Sequence, residues 1–232
     1  STIQKARRDR DASIEDQLLL ITRELEERGI HSHTISKIAG STASQLVQLL
    51  NQGVHSSKEI TLVFCYRAAT LGMELCLITE DNFQDALQLA ERSDDLRKTS
   101  QKRNWTLGEE WDEQKHLPPL FGVPVSIKDM FDMAGKRTTI GLAARADNLK
   151  SKDCALVAAF KASGMIPFVR TNVPQMAMIL ETNNFLWGRS LNIWNRDRSV
   201  GGSSGGEAGL VAANCSPIGL GNDIGGSLRV PS

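Results

Sequence analysis

The apolar positions in the first third of the chain recur every three or four residues and predict amphipathic helices. Leu18, Ile21 and Leu25 form such a stripe in an otherwise charged stretch, and Gly29 follows as a residue type that commonly ends helices. Side chains at this spacing share one face of a helix, so that face should be buried. The chain is therefore predicted to begin with a helical segment.

Two further helices are predicted by capping boxes, in which Ser or Thr is followed three residues later by Glu or Gln. Thr42 with Gln45 forms one such pair, and Ser56 with Glu59 forms the other. An apolar stripe predicts a fourth helix from about residue 79 through residue 90. The region before residue 117 should thus be mainly helical.

From Leu117 onward, short apolar runs alternate with helical stretches and glycine-rich turns. This alternation predicts an α/β fold in which helices cover a mixed β-sheet. The predicted strands are 121–127, 166–169 and 218–220, and the predicted helices are 154–162 and a segment after Gly206. Residues 93–116 carry dense charge and little apolar periodicity, so we interpret them as a linker or surface loop.

Composition excludes several classes of protein. The chain has 232 residues, 41% of them hydrophobic, which is enough for one sizeable core. Its 27 basic and 27 acidic residues give no net field that would favour nucleic acid or an anionic membrane. Residues 1–30 lack the apolar run of a signal peptide, and no stretch reaches the roughly 18 apolar residues of a membrane span. We therefore expect a cytoplasmic protein whose partner is a small molecule.

The four cysteines (Cys65, Cys76, Cys154 and Cys215) are widely spaced and form no C-x-x-C motif. This spacing indicates reduced core cysteines, because zinc sites and disulfide frameworks need closer or denser cysteines.

Two glycine-flanked serines near the end of the chain carry the candidate chemistry. They are Ser203 in Gly-Gly-Ser-Ser-Gly-Gly and Ser227 in Gly-Gly-Ser-Leu-Arg-Val-Pro. Glycines on both sides let the backbone approach a substrate closely and point several N–H groups in one direction, as an oxyanion site requires. This pattern favours a hydrolase that uses serine as its nucleophile.

A serine nucleophile needs a base, and the sequence does not mark a histidine for that role. All four histidines lie outside the glycine motifs and are interpreted as surface or loop residues: His31, His33, His55 and His116. Lys128 follows the apolar run Val-Pro-Val-Ser-Ile, where burial would lower its pKa and provide a neutral amine. The alternative is a lysine at a strand end that reaches to solvent.

Two other interpretations of the glycines are a dinucleotide-binding loop and the nucleophile elbow of α/β-hydrolases. A dinucleotide loop is disfavoured because Ile224 stands where the third glycine should be and no following helix fits. A Gly-x-Ser-x-Gly elbow is matched literally at Gly201–Gly205 and again at Gly202–Gly206. That elbow needs a buried strand before the serine, whereas residues 195–199 are polar, so we disfavour it as well.

Four motifs in order resemble the amidase signature family of Ser-Ser-Lys serine hydrolases. They cover residues 122–129, 171–175, 201–207 and 219–232, and the two serines are 227 − 203 = 24 positions apart, as in the family. Glu207 and the ending from residue 226 are closest in motif to fatty acid amide hydrolases and acetamidase-like members. The resemblance covers most of residues 40 to 232 and implies the amidase signature fold.

The resemblance implies separate roles for the candidate catalytic residues. Ser227 would be the nucleophile, and Ser203, preceded by a cis peptide bond, would relay its proton to Lys128. The backbone N–H groups of an oxyanion hole would come from four consecutive residues: Ile224, Gly225, Gly226 and Ser227. The resemblance implies neither a metal ion nor a cofactor.

Other roles follow less directly from the same resemblance. Asp223 and Arg229 would hold the loop of the nucleophile, with an ordinary surface ion pair as the alternative. Ser204 is interpreted as structural. The segment Met176-Ala177-Met178 would line an acyl pocket, or else pack in the core. Asn222 stands where the family usually has threonine or serine, which puts the fine structure of that loop in doubt.

The predicted organisation is an N-terminal helical extension over residues 1–39 and the N-terminal part of an amidase signature domain over residues 40–232. The family domain is roughly twice as long, so we expect these 232 residues alone to be poorly stable and inactive. The implied reaction hydrolyses a carboxylic or fatty acid amide to acid plus amine or ammonia. The alternative is an inactive or amidotransferase-type subunit, and a homodimer or a peripheral association with an internal membrane is left open.

Overall fold

The computed structural model describes residues 1–106, 108–110 and 112–232. Seven α-helices lie in this part of the chain: α1 (Thr2–Glu27), α2 (Ser32–Ala39), α3 (Ala43–Asn51), α4 (Ser57–Arg67), α5 (Phe83–Thr99), α6 (Ala155–Ala162) and α7 (Gly205–Ala212). The strands are β1 (Ile78–Asp81), β2 (Arg103–Asn104), β3 (His116–Leu117), β4 (Pro124–Lys128), β5 (Ile166–Thr171), β6 (Asn183–Asn184), β7 (Gly188–Arg189) and β8 (Gly219–Leu220). The fold is thus mixed α/β, as predicted.

The capping boxes predicted from the sequence are present. The Thr42 side chain accepts from the backbone N–H of Gln45 at the start of α3, and the Ser56 side chain accepts from that of Glu59 at the start of α4. Each side chain satisfies a backbone donor that the first helical turn leaves unpaired. These local signals therefore placed the starts of two helices correctly.

The main sheet has four strands in the order β1-β5-β4-β8. β4 runs parallel to both β5 and β8, and β1 pairs antiparallel with β5 at one edge. In the register of β4 and β5, Lys128 lies opposite Thr171. Because parallel strands end at the same edge, their last residues meet there, and ligands of α/β proteins usually bind at that edge.

Alternation along β4 assigns its side chains to opposite faces of the sheet. Val125 and Ile127 belong to a small apolar cluster with Val157 of α6. Ser126 and Lys128 alternate with these two residues and point to the opposite face, where Ser126 donates to Glu207 of α7 and Lys128 donates to Ser203 just before that helix. All five residues of the strand are buried. One strand therefore contributes both a core face and a polar face.

The larger core cluster joins the N-terminal helices to the sheet. It contains Ile21 and Leu25 of α1, Phe64 of α4 and Phe168 of β5, all buried. The α1 stripe predicted from the sequence thus faces this core. The boundary that we placed between residues 39 and 40 remains a prediction.

The structure corrects the predicted helix over residues 79–90. Residues Ile78–Asp81 form strand β1, and the helix α5 begins only at Phe83. Ile78 and Thr79 are β-branched and suit a strand, but their pairing partner β5 lies about 90 residues away in the sequence. A local pattern does not reveal such a long-range pairing.

The predicted linker over residues 93–116 is also partly wrong. Helix α5 continues through Thr99, and Ser93 is buried with its hydroxyl donating to the carbonyl of Leu89. After that helix, β2 and β3 pair in parallel, so His116 is buried instead of lying at the surface. Leu107 and Trp111 of this segment lie outside the described residues.

The cysteines are free thiols, as predicted. Cys65 and Cys215 are buried, whereas Cys76 and Cys154 are half-buried. Burial raises the pKa of the Cys65 thiol well above its usual value, which keeps it protonated and unreactive. These cysteines therefore belong to the packing of the fold.

We predict that Gly206→Ala destabilises the protein by about 1 to 3 kcal/mol, because there is no room for a side chain where α7 meets the end of β5. A Cβ at Gly206 would overlap the backbone nitrogen and oxygen of Asn172. Gly225→Ala is the matched control, since a Cβ there meets no atom within 4 Å. Urea unfolding midpoints of the two variants measure the difference. Equal midpoints would contradict the predicted close approach of α7.

Candidate active site

Lys128 is the centre of a buried polar cluster on the α7 face of the sheet. Its Nζ donates to the hydroxyl oxygens of Ser203 and Ser204 and to Oδ1 of Asn222, each at 2.8 Å. The whole residue is inaccessible to solvent. The alternative of a strand-end lysine that reaches to solvent is therefore wrong. An ammonium group has three N–H donors, and these three acceptors satisfy all of them.

Burial changes the acidity of this amine. Removal from water lowers the pKa of Lys128 to about 8, whereas the carboxylates of Glu207 and Asp223 act in the opposite direction. A lysine with this pKa loses its proton near neutral pH far more readily than an exposed lysine does. The cluster can thus supply a neutral amine able to accept a proton.

Ser203 and Ser204 reach Lys128 from the turn that precedes α7. The Gly202–Ser203 peptide bond is cis, as the family resemblance implied. Helix α7 begins at Gly205, directly after Ser204, and the Gly205 N–H donates to the hydroxyl of Thr182 at 3.1 Å. This turn presents two adjacent hydroxyl groups to one amine.

Ser227 lies in the loop that follows β8. Its carbonyl oxygen accepts from the backbone N–H of Ser204 at 3.0 Å, which joins this loop to the turn before α7. The residue is half-buried. Among the described residues, no hydrogen bond joins the Ser227 hydroxyl to Ser203. The structure therefore brings the two serine segments together through the backbone.

Asp223 organises the loop of Ser227. Its carboxylate accepts from the backbone N–H groups of Gly226 at 2.7 Å, Leu228 at 2.9 Å and Arg229 at 3.1 Å, and the Arg229 guanidinium adds two further hydrogen bonds. The guanidinium and these backbone donors hold the pKa of Asp223 well below its usual range. This pair does more than a surface ion pair, because the carboxylate fixes the backbone of the loop.

The four predicted oxyanion donors differ in their hydrogen bonds. The Gly226 N–H already donates to Asp223. The N–H groups of Ile224, Gly225 and Ser227 donate to no other atom in the described part of the chain. Three of the four backbone donors are therefore uncommitted, and their role stays a prediction.

The predicted pocket segment lies at the surface. Met176 and Met178 are exposed, and Ala177 is half-buried, so the alternative that they pack in the core is wrong. Met176 and Ala177 both have φ near +56°, in the left-handed region that non-glycine residues seldom adopt. Whether this segment contacts a substrate stays a prediction.

Several members of the cluster were not predicted from the sequence. Ser204 was interpreted as structural, yet its hydroxyl contacts Lys128 at the same distance as that of Ser203. Asn222 stands out in the sequence only as a departure from the family pattern, although its Oδ1 accepts from Lys128. Glu207 is buried, and its carboxylate accepts from Ser126 and Thr171. The sequence did offer one sign of the role of Glu207, because a charged residue stands there in an otherwise apolar, glycine-rich stretch.

Residues 1–106, 108–110 and 112–232 contain no group of three or more His, Cys, Asp or Glu side chains placed to hold a metal ion. No helix in those ranges is both long enough and apolar enough to cross a membrane.

Comparison with known proteins places this cluster in context. A family model described as Amidase matches residues 59–232. The chain is 35% identical to an acetamidase of Emericella nidulans over 207 residues, which cover 89% of this chain and 35% of that protein. It is 48% identical to fatty-acid amide hydrolase 1 of Sus scrofa over 113 residues, covering 49% of this chain and 20% of that protein.

A solved structure of a fatty acid amide hydrolase superposes with a TM-score of 0.81 at 26% identity, covering 99% of this chain and 41% of that one. In sequence, the chain spans about a third of the length of the acetamidase that it matches.

The lowered pKa of Lys128 predicts a pH-dependent stability difference between the wild type and Lys128→Met. Below about pH 8, the wild type carries a buried ammonium group that Met lacks, so the variant should be relatively more stable. Between about pH 8 and 10.5 the folded wild type has lost this proton while its unfolded chain retains it. The wild type should therefore gain stability relative to the variant as pH rises through this range.

Urea unfolding at pH 7, 9 and 10.5 measures this difference. Lys98→Met is the control for the loss of a lysine, because that side chain is 75% exposed. A constant difference between the wild type and Lys128→Met at all three pH values would show that the amine is not perturbed.

Proposed function

The chain belongs to the amidase family, and from this premise we propose that the protein hydrolyses carboxylic or fatty acid amides through a Ser-Ser-Lys triad. The observation that supports the proposal most directly is the buried amine of Lys128, held 2.8 Å from the Ser203 hydroxyl. The acetamidases and fatty-acid amide hydrolases among its relatives support the substrate class.

The first half of the proposed reaction forms an acyl-enzyme. The Ser227 hydroxyl attacks the amide carbonyl carbon, and its proton passes through the Ser203 hydroxyl to the neutral amine of Lys128. The carbonyl oxygen becomes an oxyanion, which the uncommitted backbone N–H groups of the Ser227 loop would stabilise. As the C–N bond breaks, Lys128 returns a proton through Ser203 to the leaving amine.

The second half releases the acid. Water attacks the ester carbon of the acylated Ser227 and gives its proton to the neutral amine of Lys128 through Ser203. Collapse of this second tetrahedral intermediate breaks the ester bond, and the Ser227 oxygen recovers a proton. The acid leaves, and the triad returns to its starting state without a metal ion or a cofactor.

The chemistry of Lys128 explains why this triad needs a buried amine. An exposed lysine remains protonated at neutral pH and cannot act as a base. Burial lowers the pKa of Lys128 to about 8, close to the pH at which a general base is most effective. The proposed mechanism thus depends on the dry environment between β4 and α7.

We predict that a fluorophosphonate probe labels the full-length protein at Ser227, because it reacts with an activated serine hydroxyl. Ser227→Ala should abolish labelling, and Ser232→Ala should retain it as the control for an exposed serine on the same segment. Mass spectrometry of the labelled peptide identifies the modified residue. Undiminished labelling of Ser227→Ala would reject the assignment of the nucleophile.

We further predict that Lys128→Ala lowers kcat/KM for amide hydrolysis by about 10²- to 10⁴-fold, because the general base is lost. In the wild type, kcat/KM should rise with pH through a pKa near 8 as Lys128 loses its proton. Steady-state rates on a panel of short-chain and fatty acid amides measure both effects and identify the preferred acyl chain. A profile that is flat between pH 6 and 9 would contradict the role of Lys128 as base.

A further inference from the structure

Glu207 carries a buried carboxyl group that takes part in no step of the proposed reaction. Only 5% of the residue is exposed, although it lies in the first turn of α7. Its Oε2 accepts from the Ser126 hydroxyl at 2.5 Å, and its Oε1 accepts from the Thr171 hydroxyl at 2.7 Å. Across the described residues, no cationic side chain forms an ion pair with it. A buried carboxylate without a paired cation is costly, so its position needs an explanation.

The two hydroxyl partners of Glu207 are both neighbours of Lys128 in the sheet. Ser126 precedes Lys128 by two residues on the same face of β4, and Thr171 lies directly opposite Lys128 on β5. The third neighbouring strand is also close, because a Cβ at Gly219 of β8 would overlap the Glu207 carboxylate. The side chain thus contacts three adjacent strands at the position of the lysine.

The same side chain belongs to the segment that carries the serines. Glu207 follows Ser203 by four residues and Ser204 by three, with α7 beginning between them. A carboxyl group fixed to both β4 and β5 therefore fixes the distance between the serine hydroxyls and the Lys128 amine. A shift of this helix start would lengthen hydrogen bonds that are now 2.8 Å.

We propose that Glu207 is a positioning residue for Lys128, acting through its hydrogen bonds to Ser126 and Thr171 and through its charge. This inference rests on the proposed function, in which Lys128 is the general base. Glu207 does not touch the reacting atoms; it holds the base against the serines and favours the protonated form of the amine. A purely structural residue would do only the first of these.

The charges around Glu207 support its second role. Burial raises the pKa of Glu207 to about 7, and the cations Lys128 and Arg170 act against this rise. The charge of Asp223 also acts to raise the pKa of Lys128, and Arg170 is paired with Asp129. Above pH 7 the ionised Glu207 therefore raises the pKa of Lys128, and removal of this charge should let the amine lose its proton at lower pH.

Glu207→Gln is the variant that separates charge from position. A glutamine amide can accept from one hydroxyl and donate to the other, so both contacts to the strands can persist without the charge. We expect the variant to keep a kcat within about tenfold of the wild type. The rising limb of its kcat/KM profile should move to lower pH by about one unit, since nearby charges shift a pKa by this amount or more.

Two further variants serve as controls for the Glu207→Gln measurement. Glu207→Ala removes both the charge and the hydrogen bonds, so its activity should fall at every pH, and recovery in Glu207→Gln would show that position is restored. Glu80→Gln replaces another largely buried glutamate, which contacts Arg137, in the segment after β4, and not Lys128. Its profile should coincide with that of the wild type.

A readout without substrate separates this inference from the proposed function. NMR titration of the Lys128 side chain, assigned by its absence in Lys128→Met, should show a lower midpoint in Glu207→Gln than in the wild type. An unchanged midpoint together with an unchanged rate profile would overturn the role of Glu207. Failure of Ser227 labelling with a shifted midpoint would instead overturn the proposed hydrolysis and leave the action of Glu207 on Lys128 intact.

Discussion

The burial of the Lys128 amine constrains everything around it. A solvated ammonium group loses its hydration when α7 covers β4, and the three oxygen acceptors at 2.8 Å compensate for only part of that loss, as the lowered pKa of Lys128 shows. Two of these acceptors precede α7, so the helix must approach the sheet closely for the amine to be satisfied. The close contact of Gly206 with the backbone of Asn172 permits this approach. The close packing of Gly206 thus determines how completely the Lys128 amine is enclosed.

Strand alternation keeps two buried ionic groups apart at the end of the sheet. Lys128 and Thr171 face α7. Asp129, which directly follows β4, and Arg170, which precedes Thr171 on β5, form a separate ion pair at 2.9 Å. Arg170 and Asp129 are both almost fully buried, and the pair is reinforced by the carbonyl of Phe131. Because this cation is paired with the carboxylate of Asp129, Glu207 is left to interact mainly with the surroundings of Lys128.

The parts of the structure that the sequence predicts are those encoded by neighbouring residues. The capping pairs at Thr42 and Ser56 and the stripe of α1 involve residues three or four apart, which fix a helix locally. The edge strand Ile78–Asp81 depends on β5, so its four residues carried too little local information. The contacts of Lys128 with Ser204 and Asn222 span 76 and 94 residues, and only the folded sheet brings them together. The family resemblance supplied the candidate triad, whereas the residues that surround it required the structure.

The loop of Ser227 is held in a different way from the rest of the site. Lys128 is fixed by burial, but Ile224 is 93% exposed and Arg229 has a largely exposed side chain, so core packing does not set the shape of this loop. Asp223 instead fixes it from within, through three backbone N–H groups. A loop held by its own carboxylate keeps its remaining N–H groups oriented before any substrate binds. Such preorganised donors stabilise a developing oxyanion without the cost of reorienting them during the reaction. The proposed triad therefore combines a base made reactive by burial with a nucleophile whose loop is ordered by a single side chain.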